Sequence, residues 1–308
     1  EIRWDGKQLK LRDLASTNGT FVNGERIQGK VSIKHGDLLQ FASVVFRVGR
    51  QGAITDHQTV HEDNCDQALA MIQFDRLINS GAFVPFFQPI VSLNDRKTIG
   101  YEVLGRSRLF GLQSPVEMFS AASQLDLETQ LSEAFRQRGI EIGSQFGSDM
   151  NLFVNTHPKE LGTEAFYKSL YELRECSDQV ITLEIHERAA TNADSMRKMC
   201  AALKELDIRL AFDDFGVGEA RLIELGEYRP KYLKFDMELT RSIDSAPEKR
   251  MEVVALLARL VIDLGIQPLA EGIENEVSCQ ILADMGFLLG QGFYFGKPDA
   301  ISHFLPNG

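Results

Sequence analysis

The sequence predicts an α/β fold: a β/α barrel preceded by a small module of short β-strands. Three observations predict it. From Phe86 onward, eight short strand-like runs alternate with helical patterns. Before residue 50 the strand-like runs are shorter and are separated by glycine-containing turns. Seven of the eight later runs lead into a polar, mostly acidic residue.

The elements follow in chain order. Ile2 and Trp4, then Leu9 and Leu11, alternate around Asp5-Gly6 and read as a hairpin. Thr20-Phe21-Val22 lies between Asn18-Gly19 and Asn23-Gly24, and Leu38–Phe41 and Val44–Val48 follow Gly36-Asp37. These fifty residues amount to roughly half a β-sandwich, too little for a stable core alone. Residues 51–67 are polar and read as a linker. The lead-in helix 67–80 carries Leu69, Met71, Ile72, Phe74, Leu77 and Ile78 at helical spacing, and the barrel occupies 68–308 with this helix included. Phe86–Leu93 and Thr98–Leu104 join through Asn94-Asp95, so this first pair is expected to be antiparallel. Leu152–Val154, Val180–Leu183, Arg209–Phe212, Tyr232–Leu233, Gln267–Ala270 and Phe287–Leu289 follow, with helical patterns such as Asp194–Glu205 and Lys249–Leu264 between them.

Composition excludes several function classes. Of 308 residues, 44% are apolar and 25% charged, as in a globular chain. The net charge of −11 argues against binding a nucleic-acid backbone, which needs a basic face. The best apolar run, Val253–Ile266, is broken by Arg259 and Asp263, so no membrane span is expected, and no leader precedes it. The chain starts at Glu1 rather than Met, which reads as a piece of a longer protein. Cys65, Cys176, Cys200 and Cys279 form no C-x-x-C pair, so the expectation is a reduced, cytoplasmic protein without a disulfide framework or zinc knuckle.

The chemistry lies where the strands lead. Thr98–Tyr101 runs into Glu102, Leu152–Val154 into Asn155, Ile181–Leu183 into Glu184, and Leu210–Phe212 into Asp213-Asp214. Tyr232-Leu233 runs into Lys234, Pro268–Ala270 into Glu271, and Leu288–Gly290 into Gln291. Any one of these alone reads as a helix cap, a turn or a solvated residue. Seven at successive strand ends do not, because a barrel gathers its strand C-termini on one face. Five carboxylates and one ammonium there leave a local charge near −4. Two carboxylates about 4 Å apart repel by roughly 4 kcal/mol at an effective dielectric of 20, so the cluster takes up protons or cations. An all-oxygen donor set selects hard ions, Mg²⁺ or Mn²⁺, over zinc. Asp213 could bridge two ions while Asp214 holds one, and two ions about 3.5–4 Å apart suit in-line phosphoester hydrolysis. His57 and His61 have no partner at metal-ligand spacing.

Residues 68–306 resemble the EAL-domain cyclic-di-GMP phosphodiesterases. The resemblance is carried by FFQPIV (86–91), YEVLGR (101–106), FVNTHP (153–158), TLEIHE (182–187), FDDFGVG (212–218), YLKFD (232–236), AEGIE (270–274) and GQGFYFGKP (290–298). It implies a modified (β/α)8 TIM-like barrel with one antiparallel strand, hydrolysis of cyclic di-GMP to linear 5′-pGpG, two Mg²⁺ or Mn²⁺ ions, and a homodimer. It also implies roles. Glu102, Asn155, Glu184 and Asp213 would hold one ion, and Asp213, Asp214, Glu271 and Gln291 would serve the other. Lys234 would orient the attacking water, with Glu271 and Gln291 also catalytic. Arg106 would clamp a phosphate, and Gln88, Leu104 and Pro298 would line the nucleotide. Glu187 and Glu274 would hold the loop after Asp214.

This chain departs from the family pattern in three places. Glu219-Ala220-Arg221 replaces the usual residues of that loop, His186 stands where threonine is usual, and Phe287–Gln291 lacks an acidic residue. The loop departure keeps open an alternative, a weak or inactive EAL domain that acts as a cyclic-di-GMP receptor. A scaffold that binds no nucleotide is a further one. LRDLASTNGTFVNGERI (11–27) and GDLLQF (36–41) resemble the second half of a forkhead-associated (FHA) domain. That family binds phosphothreonine peptides, with Ser16 and Thr17 near the phosphate and Asn18 on the peptide backbone. The family's upstream elements would precede Glu1, so this chain as written is not expected to bind a phosphopeptide well. A threonine-phosphorylated protein is the partner implied for the module.

Overall fold

The computed structural model describes residues 1–35, 37–41, 44–48, 74–75, 77–78, 82–109, 112–186, 193–216 and 222–305. The linker 51–67, most of the lead-in helix 67–80, His57, His61, Cys65, Glu187 and Glu219-Ala220-Arg221 lie outside them, as do both expected domain boundaries. The chain divides into two compact units, Glu1–Val84 with Arg106–Leu131, and Pro85–Gly105 with Ser132–Gly308.

In the first unit, β1 (Ile2–Trp4), β2 (Leu9–Arg12) and β5 (Lys30–Ile33) form one antiparallel sheet. β4 (Glu25–Arg26), β3 (Thr20–Val22), β6 (Leu38–Phe41) and β7 (Val44–Arg47) form another. The expected hairpin registers Ile2 with Leu11 and Trp4 with Leu9. The Asp5 carboxylate caps its turn by accepting from the Lys7 and Gln8 amides at 2.9 Å, and Gly6 takes φ +93°. Leu11, Ile27, Ile33 and Leu39 make the buried cluster of the module. β4 and β5 escaped the sequence reading because one has only two residues and the other is half polar. Helix α1 (Pro115–Ser123) starts on a capping box between Ser114 and Glu117.

The second unit carries the barrel. β8 (Phe83–Ser92), β9 (Thr98–Ser107), β10 (Asn151–Asn155), β11 (Val180–His186), β12 (Arg209–Phe215), β13 (Tyr232–Phe235), β14 (Gln267–Ala270) and β15 (Leu289–Gln291) are neighbours in that order. β15 also pairs with β8, which closes the sheet. From β9 to β15 each pairing is parallel, whereas β8 is antiparallel to β15. β8 is therefore the reversed strand, and a short β16 (Asp299–Ala300) pairs with it at Phe86 and Phe87. Helices α2 (Glu128–Gly143), α3 (Glu164–Cys176), α4 (Ala193–Glu205), α5 (Leu222–Tyr228), α6 (Met237–Thr240), α7 (Glu248–Asp263), α8 (Glu276–Asp284) and α9 (Ile301–Phe304) alternate with the strands. The long ones bury a face at helical spacing: Phe166, Leu170 and Leu173 on α3, Met196, Met199 and Leu203 on α4, and Val254, Ala258 and Val261 on α7. These pack on outward residues of the strands such as Leu152, Leu183, Phe212 and Leu233.

Several strands run further than the sequence reading: β8 begins at Phe83, β11 reaches His186, β12 reaches Phe215 and β13 reaches Phe235. β9 likewise continues past the expected Leu104 to Ser107, beside β8, its equally long ten-residue neighbour. The last barrel strand is Leu289–Gln291, not Phe287–Leu289.

Strand alternation explains how the rim is built. Inside the barrel, Ile90, Phe153, Ala211, Tyr232, Leu269 and Leu289 form one apolar layer. Two residues along from these, on the same face, stand Gln88, Asn155, Asp213, Lys234, Glu271 and Gln291. The apolar layer is thus the floor on which the polar rim stands. Gly292 secures one edge of it: a Cβ there would lie 2.1 Å from the Ile273 carbonyl oxygen and 2.3 Å from its nitrogen. Backbone cannot yield as a flexible side-chain tip does. Gly292→Ala is expected to cost about 1–3 kcal/mol and to lower the thermal midpoint by several degrees; an unchanged melt would contradict this packing.

Candidate active site

Lys234 sits at the centre of the rim. Its side chain is 1% exposed, and its Nζ lies 2.9 Å from Glu184 Oε1, 2.9 Å from Glu271 Oε1, 3.1 Å from Asp213 Oδ1 and 3.7 Å from Glu102 Oε2. Three strands, β9, β11 and β12, and the residue just after β14 thus converge on one ammonium. Gln291 donates from Nε2 to Glu102 Oε2 at 2.6 Å and to Gln88 Oε1 at 3.1 Å, and Gln88 in turn donates to the Gly296 carbonyl at 3.2 Å. Asn155 donates from Nδ2 to Glu102 Oε1 at 3.2 Å.

Asp213 and Asp214 are consecutive yet both belong to the site. In a regular strand their side chains would point to opposite faces. Here the pairing of β12 with β13 shifts register between Phe212 and Phe215, and Asp214 takes φ +58°. Such a bulge re-aims a side chain, and a left-handed non-glycine residue persists only where its surroundings hold it. The result is two overlapping groups: Glu102, Glu184 and Asp213, and Asp213, Asp214 and Glu271. In each, the candidate ligand oxygens lie within 4.8 Å of one another, and Asp213 is common to both.

Burial shapes the electrostatics. Burial pushes the Glu184 carboxyl well above its usual value against the pull of Lys234, with Glu102 and Asp213 adding to the rise. Burial likewise raises Glu271 to about 8, and burial followed by the Asp213 charge raises Asp214. For Lys234 burial acts to discharge the ammonium, but Asp213, Glu102, Glu184 and Glu271 together outweigh it and hold it charged. Apart from that ammonium, neither buried oxygen of Glu184 has a hydrogen-bond partner among the described residues, nor does Gln291 Oε1. Buried oxygens without donors, in overlapping hard-oxygen groups, are what a divalent cation would complete.

The rim opens into a cleft of about 450 Å³. Gln88 and Leu104 line it, while Pro298 is half-buried just before β16 and does not. Arg106 stands two residues beyond Leu104 on β9. Glu274 lines the cleft in an ion pair with Arg241 (2.9 Å). In the first unit, Ser16, Thr17 and Asn18 are exposed on one turn, where Ser16 Oγ donates to Asp13 Oδ1 at 2.6 Å and Thr20 Oγ1 to the same oxygen at 3.0 Å.

The EAL domain family matches residues 72–298. The chain belongs to the EAL domain family. Its first residues, 1–42, match the FHA domain. The chain is 27% identical over 239 residues to the cyclic di-GMP phosphodiesterase RocR of Pseudomonas aeruginosa, covering 75% of this chain and 61% of that protein. It thus spans less than two thirds of RocR. Among solved structures, the PaMucR phosphodiesterase in complex with c-di-GMP superposes with a TM-score of 0.68 at 21% identity, covering 77% of this chain and 99% of the other, which supports the fold. BlrP1 of Klebsiella pneumoniae, solved with calcium and cyclic di-GMP, superposes with a TM-score of 0.65 at 28% identity, covering 71% of this chain and 56% of the other. The same protein has been solved with manganese and cyclic di-GMP.

In this EAL domain the cleft also contains residues that the sequence reading missed: Asp236, Met237, Arg241, Gly272 and Phe293. They follow strand ends by one to six residues, in turns and first helical turns, where a search restricted to strand ends does not look. Among the described residues no helix is long and apolar enough to cross a membrane.

Proposed function

We propose that this chain hydrolyses cyclic di-GMP to linear 5′-pGpG with the help of two divalent cations, Mg²⁺ or Mn²⁺. The observation that supports it most is the pair of carboxylate groups sharing Asp213. Glu102, Glu184 and Asp213, with Asn155, would hold one ion, and Asp213, Asp214 and Glu271, with Gln291, the other. Bound there, the ions would supply Lewis-acid charge to a phosphodiester and favour ionisation of the attacking water. The remaining tasks fall to side chains. Gln291 fixes Glu102 through its Nε2 donor. Glu271, ionised once the second ion is held, would join Lys234 in orienting the attacking water. Lys234 Nζ offers positive charge to the phosphorane oxygens. Water adds to phosphorus as it gives up a proton, the P–O3′ bond breaks, a proton from solvent completes the 3′-hydroxyl, and the 5′-phosphate stays on the linear product. Gln88, Leu104, Arg106 and Pro298 are assigned to nucleotide and phosphate contacts, and Glu274, with Glu187, to support of the loop after Asp214.

Incubation of the chain with cyclic di-GMP and Mg²⁺ or Mn²⁺, followed by chromatography for pGpG, tests the reading. No product with either ion rejects it. Glu219-Ala220-Arg221 favours a second reading, a receptor; tight nucleotide binding in chelator without turnover would select that. The FHA module, with Ser16, Thr17 and Asn18 on its exposed turn, is assigned phosphothreonine-dependent recruitment or regulation. A homodimer through the EAL domain belongs to the same proposal.

Cation binding should also depend on pH. Glu271, raised to about 8, holds a proton at neutral pH, burial shifts Glu184 in the same direction, and a cation must displace such protons. Mn²⁺ affinity is therefore expected to rise from pH 6 to 9 and to level off above. Proton release, read by calorimetry in buffers of different ionisation enthalpy, falls over the same range. A flat affinity contradicts the assignment.

A further inference from the structure

Asp214 owes its place to a bulge, and one neighbour engages it directly. His186 lies two residues beyond Glu184 on β11, on the same face, and registers with Asp213 across the β11–β12 pair. Its Nε2 lies 3.2 Å from Asp214 Oδ2. The acceptor there places a hydrogen on Nε2. From the other side, the Asp214 backbone N–H donates to Asp213 Oδ1 at 3.0 Å. The imidazole itself belongs to neither carboxylate group.

We propose that His186 is a positioning residue for the cation assigned to Asp213, Asp214 and Glu271: its Nε2–H clamps Asp214 Oδ2 and leaves Oδ1 as the single oxygen that aspartate presents. This rests on the two-ion reading above. Partners that orient a ligating carboxylate influence cation affinity nearly as ligands do. The clamp also has a selectivity consequence. Ca²⁺ accepts bidentate carboxylates and six to eight oxygens, whereas Mg²⁺ and ions of similar preference demand six in near-octahedral array. An aspartate restricted to one oxygen favours the smaller ion.

The test is calorimetric titration of the full chain, without nucleotide, with Mn²⁺ and separately with Ca²⁺. Wild type is expected to bind two Mn²⁺. In His186→Ala one of the two steps should weaken about 10–100-fold, with a smaller loss for Ca²⁺, so that the Mn²⁺/Ca²⁺ preference at that step narrows. His186→Gln, which keeps an N–H donor at similar reach, should restore both affinity and preference. In an Asp214→Asn background, His186→Ala should add nothing. Unchanged Mn²⁺ steps in His186→Ala, an equal loss for both ions, or no rescue by His186→Gln overturns the proposal. Should His186→Ala fail to fold, His186→Thr against His186→Gln makes the same comparison, since threonine is too short to reach Oδ2. A wild type that takes up no second Mn²⁺ rejects the two-ion reading itself, which separates that failure from this one.

Discussion

Lys234→Ala is expected to lower turnover of cyclic di-GMP by roughly 10²–10³-fold, the usual cost of losing one donor aimed at developing charge, while nucleotide affinity changes little. It should also alter stability, in a direction the burial dictates. The ammonium faces four carboxylates within 2.9–3.7 Å and is 1% exposed. Removing it strips a buried cluster of its counter-charge, a loss of about 3–5 kcal/mol when the partners stay ionised. They need not stay ionised at every pH. Glu184 and Glu271 have folded-state pKa values above their unfolded ones. Their neutral forms favour the fold, so that contribution is present at low pH and is lost as pH rises through the raised values, about 8 for Glu271. Without divalent cations, Lys234→Ala should therefore melt near wild type at pH 5 and well below it at pH 9, with Mn²⁺ recovering most of the difference. Equal deficits at both pH values, by thermal denaturation, would mean that the lysine acts by packing rather than by charge.

Asp213→Asn should have the widest effect of any rim substitution. Asp213 is the only carboxylate common to both groups, so an amide there removes an anionic ligand from two positions at once. Each Mn²⁺ step is expected to weaken by at least about a hundredfold, since even supporting partners of ligands cost 10–100-fold, and pGpG formation should fall below detection. Glu102→Gln, which belongs to a single group, should lose one step and keep the other. If Asp213→Asn and Glu102→Gln give the same titration, Asp213 does not bridge.

Much of this architecture was legible in the sequence, and the legible part has one cause. A barrel strand shows its inward residues at every second position, so an apolar residue followed two later by a carboxylate or amide, as in Ala211/Asp213 or Leu269/Glu271, marks floor and rim together. The run from Ile181 to Glu184 could be read the same way. The rest depended on features that period-two patterning does not contain. β9 continues past Leu104 to Ser107 beside a partner strand that is equally long, a property of β8 and not of β9. Asp213-Asp214 gave no sign of the left-handed kink that turns both side chains inward. His186 stood out as an unusual residue, but its reach to Asp214 depends on that kink. Gln88 enters from a reversed strand, and Arg241 and Phe293 from turns beyond strand ends.

The apolar layer beneath the rim sets its height. Of Ile90, Phe153, Ala211, Tyr232, Leu269 and Leu289, the one under Asp213 is the smallest. Chemistry at the mouth is thus adjustable from the cellar: a bulkier side chain at 211 would jack up the one aspartate common to both groups, retuning the machinery without altering a single group that handles the phosphodiester.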